Sequence, residues 1–342
     1  MSEAPGGGPI RVGVIGVGAM GTSHVRTLAR WIAGAQVVAV SDVDTDSAAG
    51  IAAEVGAHVH GSGAELIADD AVDAVLVASP DPTHEELTLA CLAAGKPVLC
   101  EKPLAVEQTG TRRVVDAEVA LGRRLVQVGF MRRYDPAYVE LRHLVATGAL
   151  GVPRVVHCLH RNAAAHPSAT SEGIVSNSMI HEIDVVPWLL DDPVAAITVA
   201  ARRAGDGSLR DPQVALMETV EGVLVTAEVF VNAGYGYEVG CEVVGTDGTA
   251  RLTPPYGVRR RQRGTDGVEV SADFVARFRD AYRIELADWV EGLRRGVVSG
   301  PSAWDGHRAT VVAAAGVTSL RSGQRVGVPA EPVPRLYARD RR

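Results

Sequence analysis

RVGVIGVGAMG, residues 11–21, decides the fold. A short β-branched run, RVGVI, is closed by Gly16 and followed at once by a stretch with helical amphipathic spacing from about Ala19 to Ala33. At the junction, Gly16-Val17-Gly18-Ala19-Met20-Gly21 has the spacing GxGxxG. Between a strand and a helix the three glycines serve different needs. Gly16 allows the tight turn, Gly18 lets a pyrophosphate approach the backbone, and Gly21 permits close helix–strand packing. The helix start at Ala19 and Met20 then supplies donors to the phosphate. The next apolar run, QVVAVSD (36–42), ends in Asp42, at the distance expected for a carboxylate that accepts from an adenosine ribose diol. That carboxylate would repel a 2′-phosphate, so the expected cofactor is NAD rather than NADP.

The alternation continues outward. A helix from about Thr45 to Val55 precedes VDAVLVASP (72–80), a helix opens near Thr83, PVLCEKP (97–103) follows, then a helix from about Val106 to Ala120 and RLVQVGF (124–130). Near-continuous apolar strands separated by helices indicate a parallel sheet covered on both faces, a doubly wound Rossmann architecture. After Phe130 the pattern changes. VPRVVHCLHRN (152–162) alternates like a half-exposed strand, a helix is expected from about Asn177 to Leu190, and several strands with short turns follow. Two helical patterns, Phe274 to Leu293 and Ala303 to Ser322, close the chain. The reading is α/β throughout: a flexible tail over residues 1–9, an NAD-binding Rossmann domain over 10–131, and an α+β domain over 132–342 with a large, mostly antiparallel open sheet. An open sheet face commonly packs on another copy, so a homo-oligomer is expected.

Composition narrows the function. With 342 residues, 46% hydrophobic, 22% charged and a formal net charge of −7, the chain is an ordinary globular protein without the clustered positive charge that nucleic acid or an anionic membrane demands. MSEAPGGGP lacks the basic and apolar regions of a signal peptide, and no apolar run reaches the length of a membrane span. Cys91, Cys100, Cys158 and Cys241 are widely spaced with no CxxC pair, which suits reduced thiols in a cytoplasmic protein. No His and acidic residues have the spacing of a closed metal site. Of the 34 basic residues only Lys96 and Lys102 are lysine, both inside GKPVLCEKPL (95–104). An amine can be tuned towards neutrality and is a compact donor, which arginine is not.

GVGAMG, GKPVLCEKP, GFMRRYDP (129–136), HRN (160–162) and HEIDVVPWLL (181–190) together resemble the Gfo/Idh/MocA oxidoreductases, and among them the inositol 2-dehydrogenases. The likeness runs from about Ile10 to Val328. It implies an NAD-dependent dehydrogenase of a cyclic polyol, a dimer or tetramer, and a site between the domains beyond the strand ends. It further implies that Glu101-Lys102-Pro103 lies at the nicotinamide end with a cis bond before Pro103, and that Ser79 and His84 sit near the cofactor. Oxidising a secondary alcohol needs a base for the hydroxyl proton, for which histidine is suited. His181 is the candidate, with Asp184 at i+3 on the same helix face. Lys102 would stabilise the developing alkoxide, whereas Lys96 is read as structural. Arg132, His160 and Asn162 match substrate-contact positions of the family. Asn177 departs from it: the inositol enzymes carry aspartate four residues before the histidine. The alternatives are therefore an aminocyclitol, pseudosugar or sugar substrate, or a silent dinucleotide-sensing regulator.

Overall fold

The computed structural model describes residues 8–202, 209–253 and 259–338. The expected N-terminal tail falls largely on residues 1–7, outside the described ones. The chain separates into two compact units, one comprising residues through Met131, Tyr282–Thr310 and residues from Glu331, the other Arg132–Ala281 and Val311–Ala330.

In the first unit, strands β1 (Ile10–Ile15), β2 (Ala35–Ser41), β3 (His58–Val59), β4 (Ala74–Val77), β5 (Val98–Glu101) and β6 (Val126–Gly129) form one sheet in the order β3-β2-β1-β4-β5-β6. Every pairing is parallel. Helices α1 (Ala19–Trp31), α2 (Thr45–Val55), α3 (Gly63–Ala68), α4 (His84–Ala93) and α5 (Gln108–Leu121) lie between successive strands. β4, β5 and β6 are buried at every residue, the signature of a sheet covered on both faces. The order reverses between β1 and β4, where doubly wound sheets bind their ligands beyond the carboxyl ends of the strands. The two-residue edge strand β3 and short helix α3 have too little apolar pattern to be read from the sequence.

In the second unit, α6 (Pro136–Ala146) leads into β7 (Pro153–Arg161), then α7 (Ser171–Gly173) and α8 (Ile180–Leu190). Strands β8 (Val194–Ala201), β9 (Gln213–Thr219), β10 (Leu224–Phe230), β11 (Glu238–Gly245) and β12 (Thr249–Arg251) follow. The exposed hairpin β13 (Arg259–Gln262) and β14 (Thr265–Val268) carries Arg259, Arg260 and Arg261, of which Arg259 and Arg261 both bind Asp266. α9 (Phe274–Arg277), α10 (Arg279–Arg294), α11 (Ala303–Ser322) and β15 (Val326–Gly327) complete the chain, with α10 from Tyr282 and α11 through Thr310 belonging to the first unit. The large sheet runs β12-β11-β7-β10-β9-β8-β15 and is antiparallel except for the β7–β10 pair.

Two helical readings change. The stretch expected as one helix from Asn177 is a π-turn over Ile174–Ser178, in which Met179 N–H donates to Ile174 O at 2.8 Å, followed by α8. The Phe274–Leu293 pattern is broken at Phe278 into α9 and α10. Leu286, Trp289, Val290 and Leu293 of α10 are buried in the same core as Val12, Leu28 and Leu76 of the first unit. Apolar periodicity does not say which core a late helix joins.

Candidate active site

In the first unit the three glycines do what their spacing demands. Gly16 has φ +86°, and a Cβ on it would meet Ser79 N at 2.4 Å; a Cβ on Gly21 would lie 1.8 Å from Gly16 O. Gly18 is open, with no atom of the described residues within 4 Å of its would-be Cβ. Among the described residues no side chain caps α1, so the N–H groups at Ala19 and Met20 stand at a helix start suited to an anion. Asp42 braces the turn: Oδ2 accepts from Val17 N at 2.6 Å and Oδ1 from Asp44 N at 2.9 Å. This donor set and open backbone fit a dinucleotide. Asp42→Ala should weaken NAD binding about 10-fold or more, since hydrogen bonds to charged groups are worth roughly 1.5–3 kcal/mol, while narrowing the gap between NAD and NADP. Titration of both cofactors checks this, and an unchanged ratio would remove Asp42 as the ribose discriminator.

The two lysines separate. Lys96 Nζ donates to the Asp69 carbonyl at 2.6 Å, tying a loop to the start of β5. Lys102 is half-buried, directly after β5, and the Lys102–Pro103 bond is cis. Its neighbour Glu101 is buried, with Oε1 2.8 Å from His24 Nε2 on α1 and Oε2 accepting from Lys102 N at 3.2 Å. Burial would raise the Glu101 pKa, but His24 and then Lys102 hold the carboxyl below the usual glutamate range. A fixed carboxylate therefore sits beside the lysine that follows the carboxyl end of β5. The side chain of Ser79 is 2.6 Å from Thr83 Oγ1. His84 is 1% exposed and its ring nitrogens face the carbonyls of Pro103 and Ser79, so it stands behind these loops rather than at their surface.

In the second unit, His181 is the second residue of α8 and is buried. His160 packs edge-on against it, ring centroids 6.1 Å apart, and against Tyr237 at 5.7 Å. Strand alternation puts His160 on the helix-covered face of the sheet and Arg161 on the other, with Asn162 just beyond the strand end. Asn162 is held through its backbone, its N–H donating to Phe230 O at 2.9 Å, while its Oδ1 is buried with no partner among the described residues. An unsatisfied buried acceptor is costly, and a substrate hydroxyl would relieve it. Asn177 lies within the π-turn, a distortion frequent at functional sites.

Arg132 and Asp184 are engaged in ion pairs. Arg132 is 1% exposed, bonds Glu182 and lies over the Phe278 ring at 5.7 Å. Burial opposes its charge, but Glu182 outweighs this and raises its pKa. Asp184 receives a fork from Arg133, at 3.0 Å from Nε and 2.5 Å from Nη2. Sequence reasoning misses Glu182, Arg133 and His24. The first two sit inside GFMRRYDP and HEIDVVPWLL, and their position next to Arg132 and Asp184 in those stretches is the available signal. Among the described residues no group of three His, Cys, Asp or Glu side chains is placed to hold a metal ion, and no helix is long and apolar enough to cross a membrane.

Comparisons with known proteins place the chain among relatives of one family. Residues 10–130 match the family model described as an oxidoreductase family NAD-binding Rossmann fold, and residues 142–328 the corresponding C-terminal alpha/beta domain. Inositol 2-dehydrogenase 1 of Saccharopolyspora erythraea is 49% identical over 333 residues, covering 96% of this chain and 99% of that protein. Inositol 2-dehydrogenase of Burkholderia ambifaria is 45% identical, covering 92% and 95%. The crystal structure of myo-inositol dehydrogenase from Lactobacillus casei, in complex with NAD(H) and myo-inositol, superposes with a TM-score of 0.92 at 35% identity, covering 96% of this chain and all of that one.

Proposed function

The chain belongs to the Gfo/Idh/MocA oxidoreductase family, and we propose that it oxidises a secondary ring hydroxyl of an inositol to the inosose with NAD. The observation that carries this reading is the likeness, along nearly the whole chain, to enzymes named for inositol and to one solved with NAD(H) and myo-inositol. The glycine turn and Asp42 would hold NAD, which would supply the hydride acceptor for the ring carbon. His181 takes the hydroxyl proton, and Lys102 donates to the substrate oxygen as negative charge gathers there. Asn162, through an Oδ1 that has no partner among the described residues, receives a ring hydroxyl together with Asn177 and with His160, whose Nδ1 also faces Arg132 Nη2 at 3.3 Å and Glu182 Oε2 at 3.4 Å. Arg132 and Asp184 act as positioning residues, since Glu182 and Arg133 hold them.

Incubating the purified protein with NAD and a panel of inositol isomers, glucose and aminocyclitols tests the reading through NADH absorbance. NADH formed with at least one inositol supports it; none with any inositol removes it. Asn177 favours a second substrate class. An amide stabilises no imidazolium by charge, so an aminocyclitol, pseudosugar or sugar replaces the inositol if only that member of the panel is oxidised.

Copies of the chain pair through the open face of the large sheet. Val214, Leu216 and Leu224 point outward there, each nearly half-exposed, beside Arg161 and its partners Glu228 and Glu238. Apolar residues rimmed by charge mark an interface. Leu216→Arg combined with Leu224→Arg should lower the mass measured by light scattering to that of one chain; an unchanged mass would exclude this face. The four cysteines are free thiols, in keeping with a cytoplasmic location.

A further inference from the structure

We propose that His84 is a doubly protonated positioning residue, whose two N–H groups tie the loop after β4 to the loop after β5 and so fix the backbone that carries Lys102. The geometry leaves one protonation state. Nδ1 lies 2.7 Å from Pro103 O and Nε2 lies 2.8 Å from Ser79 O. Both partners are backbone carbonyls, which only accept. A neutral imidazole has one donor and one acceptor, so either tautomer would press a ring lone pair against a carbonyl oxygen in a site only 1% exposed. The imidazolium, with two donors, satisfies both.

Two effects oppose the charge. The ring stands at the N-terminus of α4, where the helix dipole disfavours a cation, and burial penalises it. The Cys100 sulfur, facing the ring from β5, and the carbonyls of Pro103 and Ser79 outweigh burial, and the ring's pKa is pushed up to about 10. The other ionisable neighbours on its own helix, Glu85 and Glu86 in the first turn, are acidic.

The tie reaches the chemistry through short covalent paths. Ser79 is the residue whose backbone packs against Gly16 of the phosphate turn. Pro103 follows Lys102 directly, and on the other side the Lys102 N–H is held by Glu101, itself bonded to His24. The peptide carrying Lys102 is thus gripped before and after the side chain, by a carboxylate on one side and an imidazolium on the other. The inference rests on the dehydrogenase reading only for the use to which Lys102 is put.

A neutron structure of the wild-type protein at about pH 8, well above the usual histidine pKa near 6.5, should show deuterium on both ring nitrogens; one bare nitrogen overturns the proposal. His84→Gln should lower kcat about 100-fold, the scale of a misplaced catalytic group, with the Kd for NAD changed less than about threefold. In the cofactor-free protein, the stability that His84 supplies is complete below the unfolded-state pKa and lost as pH rises through about 10. The melting-temperature gap between wild type and His84→Gln should therefore narrow from neutral pH towards 10. A gap independent of pH with kcat unchanged would reduce His84 to packing and overturn the proposal. Should Lys102→Ala turn over like wild type, the positioning role falls with the function assigned to Lys102, whereas the deuterium result is independent of it.

Discussion

Lys102→Ala should lower kcat for polyol oxidation by about 10²–10³-fold, the cost of removing one preorganised donor from a developing oxyanion, and leave NAD affinity unchanged. The proposed phosphate and ribose contacts lie in the glycine turn and Asp42, and Lys102, expected at the nicotinamide end, is assigned to the substrate oxygen. Lys102→Arg should recover little. A guanidinium spreads its charge over a planar fork, whereas the ammonium is a compact point charge, and the flanking grip by Glu101 and His84 fixes where the side chain starts. Lys96→Met is the control. Its amine meets a backbone carbonyl, so its loss should be felt in melting temperature and not in kcat. Steady-state kinetics with a saturating polyol checks all three, and undiminished turnover in Lys102→Ala would end the role given to that residue.

His181→Gln should cost about 10²–10⁴-fold in kcat, the usual worth of a positioned general base. It should also abolish the pH-dependent limb of kcat/KM that a titrating base imposes. The paired signature matters because His181 is buried within α8 among His160, Glu182 and Asp184, and a packing defect alone would slow the enzyme without flattening its profile. Glutamine keeps much of the volume and one donor, so the fold should survive. A variant that is slow yet retains the wild-type pH profile would mean that some other group takes the proton.

The cofactor half of the chain was legible because its constraints are local. The positive φ of Gly16, the open face of Gly18 and the close approach of Gly21 to the Gly16 carbonyl all fall within six residues, and only the packing of Ser79 against Gly16 is non-local. Near-continuous apolar runs gave the parallel sheet, since burial on both faces leaves no alternation to hide. The three-residue offset between His181 and Asp184 falls within α8. What failed was non-local. A π-turn depends on Met179 reaching Ile174, and no period in the sequence announces it.

By itself the sequence determined the Rossmann sheet and NAD as the cofactor, because strand period and turn sterics act over short spans. Only the tertiary structure decided which charges are already engaged. Arg132 is held by Glu182 and Asp184 by Arg133 across about fifty residues of chain, and His84 meets two carbonyls that the sequence does not bring together. The physical reason is that a charged side chain's role is set by what remains unpaired after folding, and pairing is a property of distances in space.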